Sequence, residues 1–455
     1  MWRLDSQYRP LLFMLIFHFL VQSAMLFLPE KLIEPDDEIY KLSMEMFSQG
    51  RFSIPKVELR NYPINIHLMM TKSVDGRSVS KKPPGYGIWL AGLHLSGMER
   101  LSSLILGSFF ITGLFFLLKE SSDHHRLGRE FSVACFLLIT CPTFMVLSYM
   151  TYMSDLGSAV FISLGIILYY LARSRGLKTA TLISGVLAGI SVSFRYTNVF
   201  ALPVIILWEA WMFFRERKSS LPGLFLFVVG FGLAVAPLMV YHQHFFGSFF
   251  ATGYKLTQII GVQQGVFSVD KILDNFWKVL PQILKGYPFL LLAPLGLFMS
   301  RKRDFLQSLL VIWTAVFLSS YLFFAGSLPQ SFVFTGRKFF PFVLPLCVLA
   351  ALGLQIFSWK QILSSMTVLL IINLSVVTEF AQTAIFANVW DFGTLSRNRT
   401  LYSKEKTRIF AENLEIIRKL EQGIQDLDGN GTIDNVEKKL IGIYMSAEMK
   451  RLRDL

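Results

Sequence analysis

Charged residues are scarce in this chain, and their scarcity excludes an ordinary soluble domain. Asp, Glu, Lys and Arg make up 16% of its 455 residues, whereas soluble globular proteins carry about 25%. Hydrophobic residues make up 53% of the chain, which contains 43 Phe. Apolar stretches of about 18 to 20 residues recur along it, and this is the length that a helix needs to cross a bilayer. The composition therefore predicts an all-α polytopic membrane protein.

Cysteine is also sparse, and its placement excludes two kinds of site. The three cysteines, Cys135, Cys141 and Cys347, all lie inside apolar stretches. Their spacing matches neither a metal site nor a disulfide framework, so we expect buried apolar side chains. No soluble segment carries a basic stripe interleaved with stacking aromatics. The net charge of +13 therefore does not indicate a nucleic-acid partner.

The apolar stretches predict about eleven transmembrane helices. Their expected bounds are 10–28, 101–118, 131–149, 156–172, 179–194, 197–214, 222–241, 283–300, 305–324, 339–357 and 362–380. The first is too long for a signal peptide, and no small-residue cleavage site follows it. Basic residues mark every second loop, and short basic loops stay in the cytoplasm. We therefore expect a protein of the cytoplasmic (inner) membrane, with its amino terminus in the cytoplasm and its carboxyl-terminal tail outside.

This orientation divides the chain into a membrane domain, 1–380, and an extracytoplasmic tail, 381–455. The membrane domain receives two long outer loops, 29–100 and 242–282. In the first loop, the apolar patches 39–47 and 86–95 are too short to cross the bilayer and predict helices along the membrane surface. The polar segment between them, from Gln49 to Lys81, is expected to be a loop.

A twelve-residue stretch of the tail fits the calcium-binding loop of an EF-hand. Oxygen-bearing residues stand at positions 1, 3, 5 and 9, the backbone carbonyl at position 7 is available, and Gly431 stands at the turn position. The predicted ligands are Asp426, Asp428, Asn430, Thr432, Asp434 and Glu437. Amphipathic segments flank the loop, which predicts a helix-loop-helix. A solvated acidic turn is the alternative. Outside the cell, where calcium is plentiful, we expect a structural ion and not a sensor.

Acidic residues are concentrated just after the first span. Asp36, Asp37 and Glu38 follow Glu34-Pro35 at the predicted outer membrane edge. Crowded carboxylates raise one another's pKa, and acids at a membrane boundary indicate a functional site. Asp155 stands on the same predicted face. Each has a plainer interpretation: the cluster as a solvated turn, and Asp155 as the N-cap of the following helix.

Two arginines break the pattern in which basic residues lie on the cytoplasmic side. Arg195 and Arg337 both fall at the predicted outer face. A guanidinium group matches the oxygens of a phosphate, so these residues predict an anion site beside the acidic cluster. The alternative for each is an arginine whose charged end extends to the membrane surface.

Several short motifs occur in a fixed order on this face. They are Asp37-Glu38-x-Tyr40, Lys82-Pro83-Pro84-Gly85-Tyr86, Asp155, Arg195-Tyr196, Thr252-Gly253-Tyr254 and Thr335-Gly336-Arg337. This arrangement resembles the polytopic glycosyltransferases of the GT-C fold, especially those related to the protein mannosyltransferase and aminoarabinose transferase families. The resemblance covers residues 1 to about 380, and the tail departs from the common family pattern.

The resemblance implies that a sugar is transferred from a polyprenyl-phosphate donor in the outer leaflet to a hydroxyl acceptor. Asp37 occupies the position of the general base, and the neighbouring Asp36 is its rival. Arg337, with Arg195 and Lys82, would neutralise the departing phosphate. Single displacement would invert the anomeric centre. No organic cofactor is expected, and a divalent metal in the active site is left open.

The remaining residues of the motifs are expected to contact substrate. They are Glu38, Tyr40, Tyr196 and Tyr254, while Asp155 is grouped with the catalytic acids. The acceptor is left open among a lipid, a glycan and a protein. Two other function classes are also left open: a transporter or flippase of a lipid-linked sugar, and a calcium-responsive membrane protein without catalysis.

Overall fold

The structure is a computed structural model that describes most of the membrane domain. The described residues are 5–28, 35–55, 58, 66, 69–121, 124–216, 221–253, 272–299, 304–322 and 332–381. Tyr254 and the calcium loop, 426–437, lie outside the described residues. The calcium site and the helix-loop-helix tail therefore stay predictions.

The described residues form sixteen α-helices and one β-hairpin. The α-helices are α1 Arg9–Leu26, α2 Pro35–Ser48, α3 Gly85–His94, α4 Ser102–Ser121, α5 His124–Thr140, α6 Pro142–Tyr149, α7 Ser154–Arg175, α8 Lys178–Phe194, α9 Ala201–Glu216, α10 Leu221–Phe246, α11 Ile272–Gly286, α12 Ala293–Met299, α13 Asp304–Leu322, α14 Phe332–Phe339, α15 Val343–Gly353 and α16 Trp359–Phe380. Short 3-10 turns lie at Ser6–Tyr8, Glu99–Leu101, Tyr196–Phe200, Pro288–Leu292, Phe340–Phe342 and Leu354–Ile356.

Every expected span falls on a helix or a helix pair, although not every one is a straight span. Among the described residues, eight helices are long and apolar enough to cross a membrane, or up to ten if each bent pair is one span. The expected span 131–149 falls on a bent pair, Arg126–Thr140 and Pro142–Tyr149, which turns by 56°. The expected span 283–300 covers only the end of the first helix of the other pair, Ile272–Gly286 and Pro288–Leu297, which turns by 102°. Each second segment begins at a proline, Pro142 or Pro288, which cannot supply the hydrogen bond that would continue the helix. The expected span 179–194 is a helix of 17 residues.

The predicted first outer loop contains the two expected helices, α2 and α3, which pack against each other. Ile39 and Tyr40 on α2 and Tyr86 and Leu90 on α3 are almost fully buried. The helices approach closely because Gly87 has no side chain: a Cβ there would lie 2.8 Å from Phe47. The apolar faces of these helices therefore contribute to a protein core.

The segment from Gln49 to Lys81 is not only a loop, as expected, but includes a hairpin. Strand β1 (Met70–Lys72) pairs antiparallel with β2 (Ser78–Ser80). The turn between them contains Asp75 and Gly76, and Gly76 has a φ of 81°, a conformation that glycine adopts without strain. The Asp-Gly pair is a turn signal that would have predicted this hairpin.

The core of the membrane domain is centred on α7 and on the helix around α15. The apolar windows of these segments are 78% and 89% buried, against 11% for α16. Small residues let α7 and α8 pack closely, as is usual between membrane helices: a Cβ at Gly165 would lie 2.9 Å from the Ala188 nitrogen. Cys135, Cys141 and Cys347 are buried free thiols, as predicted.

The described residues divide into two compact units. The larger contains 5–52, 82–241 and 272–381, and therefore all the described site residues. The smaller contains the hairpin and residues 242–253. In the smaller unit, the Val74 nitrogen donates a hydrogen bond of 3.0 Å to the Phe245 carbonyl, which ties the hairpin turn to the end of α10.

Candidate active site

The first turn of α2 presents two carboxylates in different surroundings. Asp36 and Asp37 follow Pro35, which begins the helix. Anionic side chains are stabilised there by the partial positive charge of the helix N-terminus. Successive helical residues point about 100° apart, so the two carboxylates meet different neighbours. The side chain of Asp36 is 16% exposed, whereas Asp37 is 1% exposed.

Asp36 is held between two cations that come from distant parts of the chain. The Lys82 ammonium lies 2.7 Å from one carboxylate oxygen, and the Arg337 guanidinium lies 3.2 Å from the other. Burial alone raises the pKa of Asp36, but the charges of Lys82 and Arg337, with a smaller contribution from Arg195, bring it well below its usual range. Asp36 is therefore an ionised anchor for the cations.

Asp155 forms a second ion pair beside the first. It lies in the first turn of α7, is 2% exposed, and pairs with the Arg195 guanidinium. The capping position is occupied by Met153, which makes no side-chain capping bond. The interpretation of Asp155 as an N-cap is therefore wrong. The residue pairs with a cation that follows α8.

The two arginines are directed into the protein and do not extend to the membrane surface. Arg337 is 6% exposed, and its guanidinium also donates to the Met153 sulfur at 3.6 Å. Arg195 is part of the Asp155 pair. The alternative of surface-seeking arginines is thus wrong for both, because each has a carboxylate partner inside the protein.

Asp37 lies on the wall of a cleft. The cleft is lined by the end of α1 at Met25 and Leu26, by Asp37 and Arg100, and by the segment 148–152. Asp37 is also close to Tyr86: burial raises the pKa of the Tyr86 phenol well above its usual value, and the charge of Asp37 raises it further. A small polar molecule in this cleft would meet a carboxylate beside the cation cluster.

Two tyrosines position the turns that carry the second ion pair. The Tyr40 hydroxyl donates to the Phe194 carbonyl at 3.3 Å, directly before Arg195. The Tyr86 hydroxyl donates to the Thr151 carbonyl at 2.5 Å. The two rings meet edge to face with centroids 5.5 Å apart. Sequence reasoning placed Tyr40 on the substrate and gave no role to Tyr86, although it quoted Tyr86 in a motif.

Three further residues of the site were not assigned a role from the sequence. Lys338 is close enough to Arg337, Arg195, Lys82 and Asp36 to interact electrostatically with them. Arg100 and Ser148 line the cleft. Like Arg195 and Arg337, Arg100 is a basic residue at the predicted outer face, and that signal would have found it.

Two other predicted residues are neighbours of site residues in the chain. Tyr196 begins the 3-10 turn after Arg195, and Glu38 lies on the first turn of α2. Among the described residues, no group of three or more His, Cys, Asp or Glu side chains could hold a metal ion.

The fold is similar to that of two kinds of solved membrane protein. ArnT from Cupriavidus metallidurans, bound to undecaprenyl phosphate, is 16% identical with a TM-score of 0.55, covering 79% of this chain and 63% of ArnT. The apo state of ArnT gives a TM-score of 0.56 at 16% identity, with 79% and 62% covered. The apo oligosaccharyltransferase of Archaeoglobus fulgidus is 13% identical with a TM-score of 0.53, covering 84% of this chain and 55% of that protein.

These likenesses confirm the GT-C fold that the sequence predicts. The chain spans less than two thirds of the length of these proteins. No protein-family model matches the chain, and a comparison with curated proteins gives no match. The fold is therefore shown, and the activity must be argued from the residues.

Proposed function

We propose that this protein is a membrane glycosyltransferase that moves a sugar from a polyprenyl-phosphate donor to an acceptor on the extracytoplasmic face. One observation carries the proposal: the cations around Asp36 lie beside a second carboxylate, Asp37, that lines a cleft. Leaving-group stabilisation and proton abstraction are the two tasks that the transfer requires.

The cation cluster suits the phosphate of the donor. Lys82, Arg337 and Arg195 all act electrostatically on Asp36, so three cationic side chains lie close together at this site. Charge-assisted bonds from guanidinium to phosphate oxygens are among the strongest in proteins. The solved ArnT complex, whose fold is similar, contains undecaprenyl phosphate, which supports a donor of this chemical class.

Asp37 is the better general base of the two carboxylates. Asp36 has its pKa well below the usual range, and such a carboxylate accepts a proton poorly. Asp37 instead lines the cleft. It takes the proton of the acceptor hydroxyl while the oxygen attacks the anomeric carbon. The bond from that carbon to the phosphate oxygen breaks, its electron pair stays on the phosphate, and the anomeric centre inverts.

Replacing Asp37 with Asn tests this assignment. We expect Asp37→Asn to abolish transfer, measured by mass spectrometry of envelope glycans in cells carrying the wild-type or variant gene. Because Lys82 and Arg337 pair with Asp36, and Arg195 pairs with Asp155, the variant keeps these ion pairs, and the purified protein should still bind undecaprenyl phosphate. Full transfer by a folded Asp37→Asn protein would sink the assignment. Unaltered glycan structures combined with lost lipid-linked sugar translocation would favour the flippase alternative.

We also propose that the tail loop binds calcium as a structural ion. The support is the complete set of loop residues from Asp426 to Glu437. Extracytoplasmic loops of this kind bind calcium with dissociation constants of about 10⁻⁴ to 10⁻³ M. Chelation should make the tail more sensitive to protease in the wild type, but should have little effect in Glu437→Gln. Protease resistance that ignores calcium in the wild type would contradict the proposal.

A further inference from the structure

We propose that Tyr287 is the residue that positions Arg337 to bind the phosphate of the donor. The inference rests on the proposed function, and it extends the site to a tyrosine to which sequence reasoning assigned no role. Tyr287 is 0% exposed and lies between α11 and the 3-10 turn Pro288–Leu292. It acts through the peptide group that precedes Arg337, so it is a positioning residue and not a catalytic one.

The peptide group before Arg337 is held by the Tyr287 hydroxyl, which donates a hydrogen bond of 2.5 Å to the carbonyl of Gly336. The last four carbonyls of a helix have no partner within that helix, and Gly336 is among the last four residues of α14. The hydroxyl supplies a partner there. Because this carbonyl and the Arg337 nitrogen belong to one planar peptide group, the bond fixes the backbone from which the Arg337 side chain extends.

The backbone of Tyr287 is itself fixed on both sides. Its nitrogen donates to the Ile283 carbonyl at 2.7 Å, which closes the last turn of α11, and its own carbonyl accepts from the Leu290 nitrogen at 2.9 Å. Between these bonds its φ of −139° and ψ of 67° are not helical, as is usual for a residue before a proline. The bend of 102° at this point therefore holds the tyrosine at a defined place beside α14.

Gly336 is also packed too tightly to move toward its neighbours. A Cβ on Gly336 would lie 2.6 Å from the Thr143 hydroxyl of α6, and a Cβ on Gly286 of α11 would lie equally close to it. The Thr143 hydroxyl donates to the Gly286 carbonyl at 3.3 Å, and Thr143 is 1% exposed. Three helices thus meet around one hydroxyl, directly before Arg337, where the Tyr287 bond sets the orientation of the peptide group.

The same arrangement occurs at the other arginine of the site. The Tyr40 hydroxyl donates to the Phe194 carbonyl at 3.3 Å, directly before Arg195. Each arginine therefore follows a carbonyl that is bonded by a buried tyrosine from a distant part of the chain. Cations that are already held in place stabilise a developing anion without the cost of reorganisation. This repeated geometry favours a role in positioning the guanidinium groups over a purely structural one.

Binding of undecaprenyl phosphate to the purified full chain, measured by native mass spectrometry, tests the proposal in a double-mutant cycle. Tyr287→Phe removes the hydroxyl and keeps the ring, so we expect binding to weaken about threefold to tenfold. In the Arg337→Gln background the same change should have little further effect, because Tyr287 acts through Arg337. Gly336→Ala gives an independent test: its added Cβ should also weaken binding, and Thr143→Ala in the same chain should restore part of it.

The control is Tyr169→Phe, which removes another buried hydroxyl, bonded at 2.8 Å to Glu209. Tyr169 lies on α7 about 20 Å along the helix axis from Asp155, so this variant should lower the Tm without changing binding. Wild-type binding by Tyr287→Phe, or equal weakening in both backgrounds, would overturn the inference alone. Wild-type binding by Arg337→Gln, or no binding by the wild-type protein, would instead contradict the proposed function on which the inference rests.

Discussion

Replacing Arg337 with Gln distinguishes a phosphate-binding cation from a structural ion pair. Arg337 is 6% exposed and lies 3.2 Å from Asp36, so its removal leaves a buried carboxylate with one cation fewer. Removing a partner from a buried pair costs about 3–5 kcal/mol. Asp36 keeps Lys82 at 2.7 Å, so we expect a smaller loss of stability, about 1–3 kcal/mol. Thermal unfolding of the purified protein in detergent measures this as a lowered Tm.

Donor binding should fall by more than the stability loss explains. A hydrogen bond to a charged group contributes about 1.5–3 kcal/mol, so Arg337→Gln should weaken undecaprenyl phosphate binding by roughly 10- to 100-fold. The double variant Asp36→Asn/Arg337→Gln removes the carboxylate that has lost one of its two cations, together with the arginine. It should recover much of the Tm but not the binding. Recovery of wild-type binding in the double variant would refute a phosphate role for Arg337.

Three further predictions concern residues that stabilise the fold around the site. Tyr86→Phe removes a buried hydrogen bond to a backbone carbonyl and should lower stability by about 1–2 kcal/mol, seen as a lowered Tm. Gly107→Ala places a Cβ 2.4 Å from the buried His18 ring and should cost about 1–3 kcal/mol, whereas its control Gly92→Ala, with open space around it, should not destabilise. The lowered pKa of Asp36 stabilises the fold above its unfolded pKa of about 4. That contribution is lost as the pH falls further, so a plot of Tm against pH should fall less steeply at acidic pH in Asp36→Asn.

Much of the fold follows from hydropathy, but the bends do not. Apolar length alone predicts where helices lie, since a bilayer requires about 20 apolar residues per span. The same signal runs through Pro142 and Pro288 without interruption, because proline in a membrane helix can also be tolerated when neighbours satisfy the backbone. Whether the chain bends at such a proline depends on packing from other helices, and a single sequence does not contain that information.

Several charged residues of the site could be anticipated from the sequence because each of them departs from the usual distribution of charge in membrane proteins. Acids at a predicted membrane edge and arginines at the predicted outer face are both costly without a partner, and the structure gives Asp36, Asp155, Arg195 and Arg337 such partners. The pairing itself could not be anticipated. Lys82 lies just before α3 and Arg337 lies on α14, far apart in the sequence, and both reach Asp36 on α2 only in the folded protein.

Asp36 and Asp37 can be distinguished only from the three-dimensional structure. The two residues have the same chemistry and adjacent positions, so no spacing argument distinguishes them. The helix rotates by about 100° from one to the next, and this rotation directs Asp36 to the cations and Asp37 to the cleft. The cations that suit a phosphate leaving group also make the carboxylate between them a weak base. A site that performs both tasks therefore needs two carboxylates, one to hold the cations and one at the cleft to take the proton.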